Sequence, residues 1–297
     1  MCQLLGMNAN TPTDVMFSFA GLATRAAEHK DGFGIAFFED SGLRLFVDHQ
    51  SARQSPVAEL VKHWPIRSSN VIAHIRKATQ GRVALRNTHP FVRELWGHFW
   101  VFAHNGDLAS PLGPPPDGVR PPEGAQVNLG RPGVGLKGFA PRLHASFHPV
   151  GDTDSELAFC WLLQELAKAH AAMPSVTELT RTLAELLPLP AAHGTFNCLL
   201  SNGQALWAHC STQLHWLERR HPFGAAHLAD DDVQVDFAAL TSPADRVALV
   251  ATQPLTRGEA WTAMAPGELR VFVDGVGSAA GAAGRSGQRA AGSCRNA

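Results

Sequence analysis

The sequence predicts a single α+β domain built on antiparallel β-strands. Its predicted strands come in two blocks, with two adjacent amphipathic helices between them. Separate blocks of strands and helices are typical of α+β domains, whereas strands that alternate with helices indicate parallel sheets. The 297 residues, 45% hydrophobic, suffice for a sizeable core, and no internal repeat or second-domain linker is visible.

The first block begins with apolar residues at helical spacing over residues 16–27. Two β-rich runs, 33–38 and 43–47, flank an Asp/Ser/Gly turn and predict a hairpin. A helical patch follows at 56–63. Strands are predicted over 70–75 and 98–103, with polar loops after them.

The helices and the second block lie after residue 150. Apolar residues over 159–167 predict an amphipathic helix with Asp154 or Ser155 near its N-cap. A capping box of Ser175 and Glu178 begins a second helix. The rest is predicted to be strand, over 195–201, 204–209, 214–218, 246–252 and 269–274.

Two segments lie outside this predicted core. Residues 111–141 contain eight prolines and seven glycines, which predicts a mobile insertion. The formal G-x-G-x-x-G inside it has neither a strand before it nor a helix after it, so we predict no nucleotide cofactor. The domain therefore spans 2–276, and residues 278–297, rich in Ala, Gly, Ser and Arg, predict a disordered tail.

Composition excludes several classes of function. A formal net charge of −1 gives no electrostatic case for nucleic acid, and no apolar run is long enough to span a membrane. The N-terminus has no signal-peptide pattern, and the five cysteines are widely spaced, so we expect a cytoplasmic setting. The fifteen histidines are scattered without ligand spacing, and we predict no metal site.

The candidate nucleophile is Cys2, which follows the initiator Met1. Removal of Met1 would leave a thiol and a free α-amine on one residue. The amine, with an ordinary pKa of roughly 7.7–8.0, can take the thiol proton near neutral pH. By itself, a cysteine at this position is more often a small buried hydrophobic residue.

The other candidate residues lie in polar motifs where predicted strands end. The side-chain amide of Asn105 and the backbone N–H of Gly106 could stabilise an oxyanion. An arginine suits a carboxylate and an aspartate suits an ammonium group, so Arg76 and Asp154 could hold the two charged ends of an amino acid. A cysteine beside such a clamp points to glutamine, attacked at its side-chain amide.

At these residues the chain resembles the class II glutamine amidotransferases of the N-terminal nucleophile hydrolase fold. The residues that carry the resemblance are Met1-Cys2, His74-Ile75-Arg76, Ala78-Thr79, Gly81, His104-Asn105-Gly106 and Asp152-Thr153-Asp154-Ser155-Glu156. It covers residues 1 to about 275 outside the insertion, and the similarity is greatest to stand-alone bacterial members. Lys77 and Gln80 stand where many members have tryptophan and histidine.

The resemblance implies a four-layer α/β/β/α sandwich with Cys2 at the end of a central strand. It implies Cys2 as nucleophile with its amine as base, and Asn105 and Gly106 as the oxyanion hole. Arg76 would bind the glutamine carboxylate and Asp154 the amino group, and Thr79 would line the pocket.

Other interpretations remain open for single residues. Asn105-Gly106 is also a common tight-turn pair, Asp154 could be only a helix N-cap, and Arg76 could be a surface ion pair. Lys77 and Gln80 fit a solvated face. His74, His89 and His104 fit buried core histidines.

Three functions follow. The first is cleavage of glutamine through a γ-glutamyl thioester on Cys2, with a synthase partner chain needed if the ammonia is transferred. The second is hydrolysis of a larger γ-glutamyl amide, with Lys77, Gln80 and the insertion near the leaving group. The third is a glutamine-binding module without turnover, which would have no need for an intact Cys2.

Overall fold

A computed structural model describes residues 2–25, 29–64, 66–78, 82–108, 141–143, 146–237 and 241–280. The described residues form two large antiparallel sheets and one small sheet. The predicted insertion, apart from residue 141, and the predicted tail after residue 280 lie outside the described residues.

The first sheet has seven strands and places strand β1 at its centre. Its order is β14-β9-β12-β1-β4-β2-β3. The bounds are β1 Gln3–Asp14, β2 Phe33–Glu39, β3 Gly42–Asp48, β4 Arg67–Ile75, β9 His215–Arg220, β12 Arg246–Ala251 and β14 Thr262–Ala263.

The second sheet has six strands in the order β16-β15-β8-β7-β6-β5. The bounds are β5 Phe91–Leu95, β6 His98–Asp107, β7 Thr195–Ser201, β8 Leu206–His209, β15 Leu269–Val273 and β16 Val276–Ala279. A small third sheet joins β10 Ala225–Leu228, β11 Gln234–Asp236 and β13 Thr256–Arg257.

Helices cover the outer faces of the two large sheets. They are α1 Met16–Thr24, α2 Pro56–His63, α3 Asp154–Ala169, α4 Val176–Leu186 and the single turn α5 Pro188–Ala191. The start of α2 is fixed by Ser55, whose hydroxyl accepts from two backbone N–H groups of the first turn. The start of α4 has the predicted capping box of Ser175 and Glu178.

Three apolar clusters show that the layers are α/β/β/α. One cluster joins α1 and α2 to the seven-stranded sheet through residues such as Phe19 and Val61. A second lies between the two sheets and includes Leu4 and Leu199. A third packs α3 and α4 on the six-stranded sheet, with Phe159 stacked on the ring of a strand residue. The predicted four-layer antiparallel α+β sandwich is confirmed.

Most predicted elements are present, with shifted ends. The 33–47 hairpin is formed by β2 and β3, and the helix at 56–63 coincides with α2. The first helix ends at Thr24 rather than residue 27. Helix α3 begins at Asp154 with Thr153 as its N-cap, so the interpretation of Asp154 as the cap itself is wrong.

The prediction that a strand stops before His104 is also wrong. Strand β6 continues to Asp107, and Asn105 lies opposite Asn197 of β7 in an antiparallel register. Asn105-Gly106 is therefore not a turn, because β7 supplies the partner strand. Strand β5 was not predicted; it pairs with β6 in an antiparallel register.

The chain also stays in the sheet two residues beyond the predicted start of the tail. Ser278 and Ala279 belong to β16, which pairs with β15 around the turn at Asp274 and Gly275. Residues with small side chains can form β16 because its pairing with β15 uses backbone hydrogen bonds. A side chain at Gly277 would clash with the Phe272 ring, at 2.5 Å.

Candidate active site

Cys2 lies at the start of the central strand β1, beside the end of β4. The antiparallel register places Gln3 of β1 opposite Ile75 of β4. Cys2, just before β1, and Arg76, just after β4, are therefore neighbours. The Cys2 Sγ accepts the backbone N–H of Lys77 at 3.2 Å, and its S–H reaches the Lys77 carbonyl at 3.3 Å. The thiol is thereby fixed by backbone atoms that follow β4.

The thiol of Cys2 is not spontaneously ionised in this position. Burial raises the pKa of Cys2, while the Lys77 N–H and the Arg76 charge act in the opposite direction. Because burial is the largest effect, formation of the thiolate requires a base next to the sulfur.

Asn105, on the other sheet, contacts the backbone of Cys2. Its Nδ2 donates to the Cys2 carbonyl at 2.6 Å and lies 3.4 Å from the Thr252 hydroxyl. That hydroxyl also accepts the Leu4 N–H at 2.9 Å, and Asn197 donates to the Asn105 carbonyl at 3.2 Å. Buried contacts therefore hold the Asn105 amide beside the candidate nucleophile.

Gly106, the next residue, lies where no side chain fits. A Cβ at this position would lie 1.7 Å from the Thr195 carbonyl oxygen and 2.6 Å from His104 Nε2. The close approach of β6 to β7 therefore requires glycine here, and it leaves the Gly106 backbone facing the same cavity as Cys2.

Arg76 is buried, with 3% of its surface exposed, so it is not the surface ion pair considered above. Its Nη1 donates to the Arg82 carbonyl at 3.2 Å. Its backbone bonds to Gly32 and Asp31, and the Asp31 carboxylate accepts the Ala78 N–H at 2.8 Å. The segment that carries Arg76 is thus attached to the loop before β2.

The charge of Arg76 is opposed by the nearby carboxylates of Asp31 and Asp152. Burial lowers the pKa of the Arg76 guanidinium, and Cys2, Asp31 and Asp152 raise it. An arginine remains protonated under such opposing influences because its ordinary pKa is above 12. The site therefore holds a positive charge suited to a carboxylate.

Asp154 is the first residue of α3, and its carboxylate is fixed from two directions. The Leu108 N–H donates to Oδ2 at 2.8 Å, and the Ser155 N–H donates to Oδ1 at 2.7 Å. These two backbone donors fix the orientation of the carboxylate at the start of α3. A fixed carboxylate that lines the cavity suits an ammonium group.

His104 connects β6 to the start of α3. Its Nε2 must donate to the Thr195 carbonyl at 3.0 Å, so Nδ1 accepts from the Ser155 hydroxyl at 2.8 Å. Burial lowers the pKa of His104, with the Asp154 charge opposing this effect. A neutral His104 therefore orients Ser155 rather than supplying a proton.

His74 and His89 form a second buried histidine feature. Their ring centroids are 4.3 Å apart, and among the described residues none of their four ring nitrogens has a hydrogen-bond partner. Burial lowers the pKa of His74 to about 3 and that of His89 well below its ordinary value. Both are neutral core histidines, and His89 also borders the cavity.

These residues meet in one small cavity of about 30 Å³. Four predicted site residues line it: Cys2, Arg76, Gly106 and Asp154. Asn105 is not among the lining residues, but it hydrogen-bonds to the Cys2 carbonyl. Thr79 and Gln80 lie outside the described residues. A cavity of this volume holds roughly one water molecule.

A larger cavity, of about 290 Å³, lies between α4, α5 and β15. It is lined mainly by small and apolar residues, with His209 and Glu268 as its titratable groups. The His209 Nδ1 is bonded to the Phe196 carbonyl, and Glu268 accepts from Arg270. Its lining contains no nucleophile, so the smaller cavity at Cys2 is the candidate active site.

The structure adds supporting residues that the sequence did not indicate. Asp31 holds the Ala78 segment, Asn197 anchors β6, and Asn87 holds the turn before α3. Glu156, which belongs to a motif that carries the resemblance, holds the same turn. An asparagine within the apolar run 195–200 was a signal for Asn197, whereas Asp31 and Asn87 lie in polar stretches where no local pattern distinguishes them.

Within the described ranges, no group of three or more His, Cys, Asp or Glu side chains is arranged to hold a metal ion. Cys2, Cys160, Cys198 and Cys210 are free thiols. No helix formed by the described residues is long and apolar enough to cross a bilayer.

Comparison with known proteins shows to which family the chain is similar. The family described as glutamine amidotransferases class-II matches residues 1–126 and 132–295. The chain is 46% identical over 276 residues to YafJ of Escherichia coli (strain K12), whose name assigns it provisionally to the glutamine amidotransferases; the match covers 92% of this chain and 97% of YafJ. A similarly named protein of Haemophilus influenzae is 45% identical, over 93% of this chain and 85% of the relative.

A solved structure supports the fold. The 2.0 Å crystal structure of a protein from Pseudomonas aeruginosa PA01, described as a predicted glutamine amidotransferase, matches with a TM-score of 0.66 and 37% identity. The match covers 93% of this chain and 99% of that protein.

Proposed function

The chain belongs to the class II glutamine amidotransferases, and on that premise we propose that it cleaves the side-chain amide of glutamine through a γ-glutamyl thioester on Cys2. The observation that carries the proposal is the shared cavity of Cys2, Arg76, Gly106 and Asp154. It combines a thiol with a cation and an anion that match the two ends of an amino acid.

The first step generates the nucleophile. Removal of Met1 frees the α-amine of Cys2, which takes the thiol proton directly or through a water molecule. This base is required because burial raises the pKa of the thiol. The Lys77 N–H, 3.2 Å from the sulfur, then stabilises the thiolate.

The thiolate attacks the side-chain carbonyl carbon of glutamine and forms a C–S bond, which places negative charge on the carbonyl oxygen. Asn105 carries two N–H donors: one bonds the Cys2 carbonyl, and the other would give up its 3.4 Å contact with the Thr252 hydroxyl to reach this oxygen. The Gly106 N–H is the second donor. Such donors are worth about 10²–10³ in rate each.

Collapse of this intermediate breaks the C–N bond. The protonated α-amine returns its proton to the leaving nitrogen, and ammonia departs from a thioester on Cys2. Water, deprotonated by the same amine, then cleaves the C–S bond and releases glutamate. Transfer of the ammonia to an acceptor would require a synthase partner chain.

The clamp sets the specificity in this proposal. Arg76 binds the α-carboxylate and Asp154 the α-ammonium group, and both are held in place before substrate arrives. Preorganised charges of this kind bind without the cost of ordering flexible side chains. Thr79 stays a predicted lining residue.

A larger γ-glutamyl amide is the second candidate substrate. The same clamp would hold its glutamyl end. Lys77 borders the cavity yet has an exposed side chain, so a longer leaving group would meet it at the cavity rim.

The test is the intact mass of the purified protein before and after incubation with 6-diazo-5-oxo-L-norleucine, a glutamine-like electrophile. We expect loss of Met1 and a single adduct, together with ammonia release from glutamine. Cys2→Ala should fold and bind glutamine but form no adduct and release no ammonia. A variant with residues appended before Cys2 should be inactive, because its amine is acylated.

The results separate the candidates. Faster turnover of γ-glutamyl anilides than of glutamine would favour the larger amide. Wild-type turnover by Cys2→Ala would refute the mechanism. Glutamine binding without turnover by the processed wild-type protein would also refute it.

A further inference from the structure

Asn87, in the short 3₁₀ turn Leu85–Asn87, uses its whole side-chain amide to connect two loops at the candidate site. It has no exposed surface. Its Nδ2 donates to the Arg82 carbonyl at 3.0 Å and to the Asp152 carboxylate at 2.5 Å. Its Oδ1 accepts the Asp152 N–H at 3.0 Å. An amide with two donors and an acceptor is needed for these three contacts.

The Arg82 carbonyl is shared with the substrate clamp. Arg76 Nη1 donates to the same oxygen at 3.2 Å, so the guanidinium and the Asn87 amide converge on one atom. On its other side, Asn87 binds Asp152, two residues before Asp154. Asn87 therefore connects the segment that holds the cation to the segment that holds the anion.

The turn at Gly151 lies directly against Asn87. A Cβ on Gly151 would lie 2.2 Å from Asn87 Oδ1 and 2.8 Å from the Arg86 carbonyl oxygen, so a side chain is excluded there. The Glu156 carboxylate also accepts the N–H groups of Val150 and Gly151, at 3.0 and 2.6 Å. The turn that leads to Asp154 is thus held by both Asn87 and Glu156.

We infer that Asn87 is a positioning residue that sets the separation of Arg76 and Asp154, and hence the fit of an amino acid's carboxylate and ammonium groups. The inference rests on the proposed glutamyl clamp. Asn87 is not among the residues that line the cavity, so its effect on substrate passes through the two loops. Loss of Asn87 should therefore weaken glutamine binding more than it slows the chemistry at Cys2.

The test compares Asn87→Ser and Asn87→Asp with wild type. For glutamine turnover we expect KM to rise about tenfold or more, with kcat within about threefold. Alkylation of Cys2 by iodoacetamide, which has no amino-acid end to bind, should proceed at the wild-type rate. A purely structural defect would change both KM and the alkylation rate.

Asn10 provides a matched control. Its side chain also bridges two segments, donating to the Ala244 carbonyl at 2.9 Å and accepting the Arg246 N–H at 2.7 Å. It lies on β1 eight residues beyond Cys2. Asn10→Ser should leave the KM for glutamine unchanged.

A double variant tests the specific contact. Asn87→Asp places a carboxylate against the Asp152 carboxylate, and adding Asp152→Asn restores a donor–acceptor pair with the roles exchanged. The double variant should recover at least part of the lost affinity. If the Asn87 variants do not fold, Asp152→Asn and Gly151→Ala alone should still raise KM, because they disturb the same contact from the other side.

Three results would overturn the inference. The first is a KM within about twofold of wild type in folded Asn87 variants of an active enzyme. The second is an equal loss of clamp binding and iodoacetamide reactivity. The third is a wild-type protein that neither binds nor turns over glutamine, which refutes the proposed function and the clamp together. Turnover by wild type with an unchanged KM in the variants refutes only the role of Asn87.

Discussion

The two sheets contribute to the candidate site in different ways. On the seven-stranded sheet, the register of β1 and β4 brings Cys2 beside Arg76, and the thiol hydrogen-bonds to backbone atoms of Lys77. On the six-stranded sheet and α3, hydrogen bonds that involve side chains hold Asn105 and Asp154 in place. Asn105 depends on Asn197, and Asp154 depends on its bond to the Leu108 N–H.

The difference separates two kinds of sensitivity. A strand register is set by many ladder bonds, so the position of Cys2 should tolerate most single side-chain changes nearby. The position of an amide or carboxylate held by two or three buried hydrogen bonds should not, because each unsatisfied buried partner costs about 1–3 kcal/mol. Substitutions on the side of the six-stranded sheet should therefore have the larger indirect effects.

Asn105→Ala should produce the largest effect after loss of the nucleophile. It removes one proposed oxyanion donor and the 2.6 Å bond to the Cys2 carbonyl. We expect kcat for glutamine to fall about 10²–10³-fold, with a smaller change in KM. Steady-state ammonia release measures both parameters.

Asn197→Ala is the comparison for Asn105→Ala. The Asn197 Oδ1 accepts three backbone N–H groups, of Ser211, Thr212 and Gln213, at 3.0 to 3.1 Å. Its loss should lower the free energy of unfolding by several kcal/mol, on the order of 1–3 for each unpaired buried group. If Asn105→Ala lost more stability and less kcat than Asn197→Ala, Asn105 would be a structural residue and not an oxyanion donor.

Asp154→Asn should produce an intermediate effect, mainly on binding. The variant loses the negative charge proposed to hold the substrate ammonium. It also turns an NH₂ group toward either the Leu108 or the Ser155 N–H, both of which now donate to the carboxylate. We expect KM for glutamine to rise about tenfold or more.

A substrate analogue without the α-amino group separates charge from geometry. Glutaramate, the desamino analogue, should be used with similar kcat/KM by wild type and by Asp154→Asn if the charge alone matters. A discrimination between glutamine and glutaramate that is the same in both proteins would show that Asp154 does not bind the ammonium group.

The site residues that could be predicted from the sequence are those whose side-chain type indicates a chemical role. Cys2, Arg76 and Asp154 carry a nucleophile, a cation and an anion, and they lie beside strand and helix ends. Asn105-Gly106 was predicted at the end of a strand because that dipeptide is typical of turns. Its true position within β6 depends on Asn197, 92 residues away, which local sequence does not show.

The supporting residues were missed for a similar reason. Asn87 acts on Asp152 across 65 positions, and nothing in its own neighbourhood distinguishes it from a loop asparagine. The short strands β10, β11, β13 and β14 have two to four residues each, too few for a recognisable period. The helix and strand pattern predicted an antiparallel α+β domain, whereas the four layers followed only from the resemblance to the family.

His74→Leu should have the smallest effect on the free energy of unfolding at pH 8. It tests the layer between the two large sheets. His74 is fully buried next to His89, and its ring nitrogens have no hydrogen-bond partner in the part of the chain that the structure describes. Because burial lowers its pKa to about 3, the folded protein excludes a proton that the unfolded chain binds near pH 6.5. The free energy of unfolding must therefore fall as the pH falls from about 6.5 to 3, by roughly 1.4 kcal/mol per pH unit from this group.

Leucine removes the titrating imidazole and fills a similar volume. At pH 8 the free energy of unfolding should stay within about 1 kcal/mol of wild type or rise, since an unpartnered buried polar group is replaced by an apolar one. Below pH 6.5 the slope of the free energy of unfolding against pH should decrease by the contribution of one proton. His89 and His104 should still contribute to that slope. Ile72→Leu, on the same strand, repacks the same layer without removing a titratable group and should keep the wild-type slope. An unchanged acid slope in His74→Leu, measured by urea unfolding at each pH, would show that His74 is solvated and protonated in the folded protein.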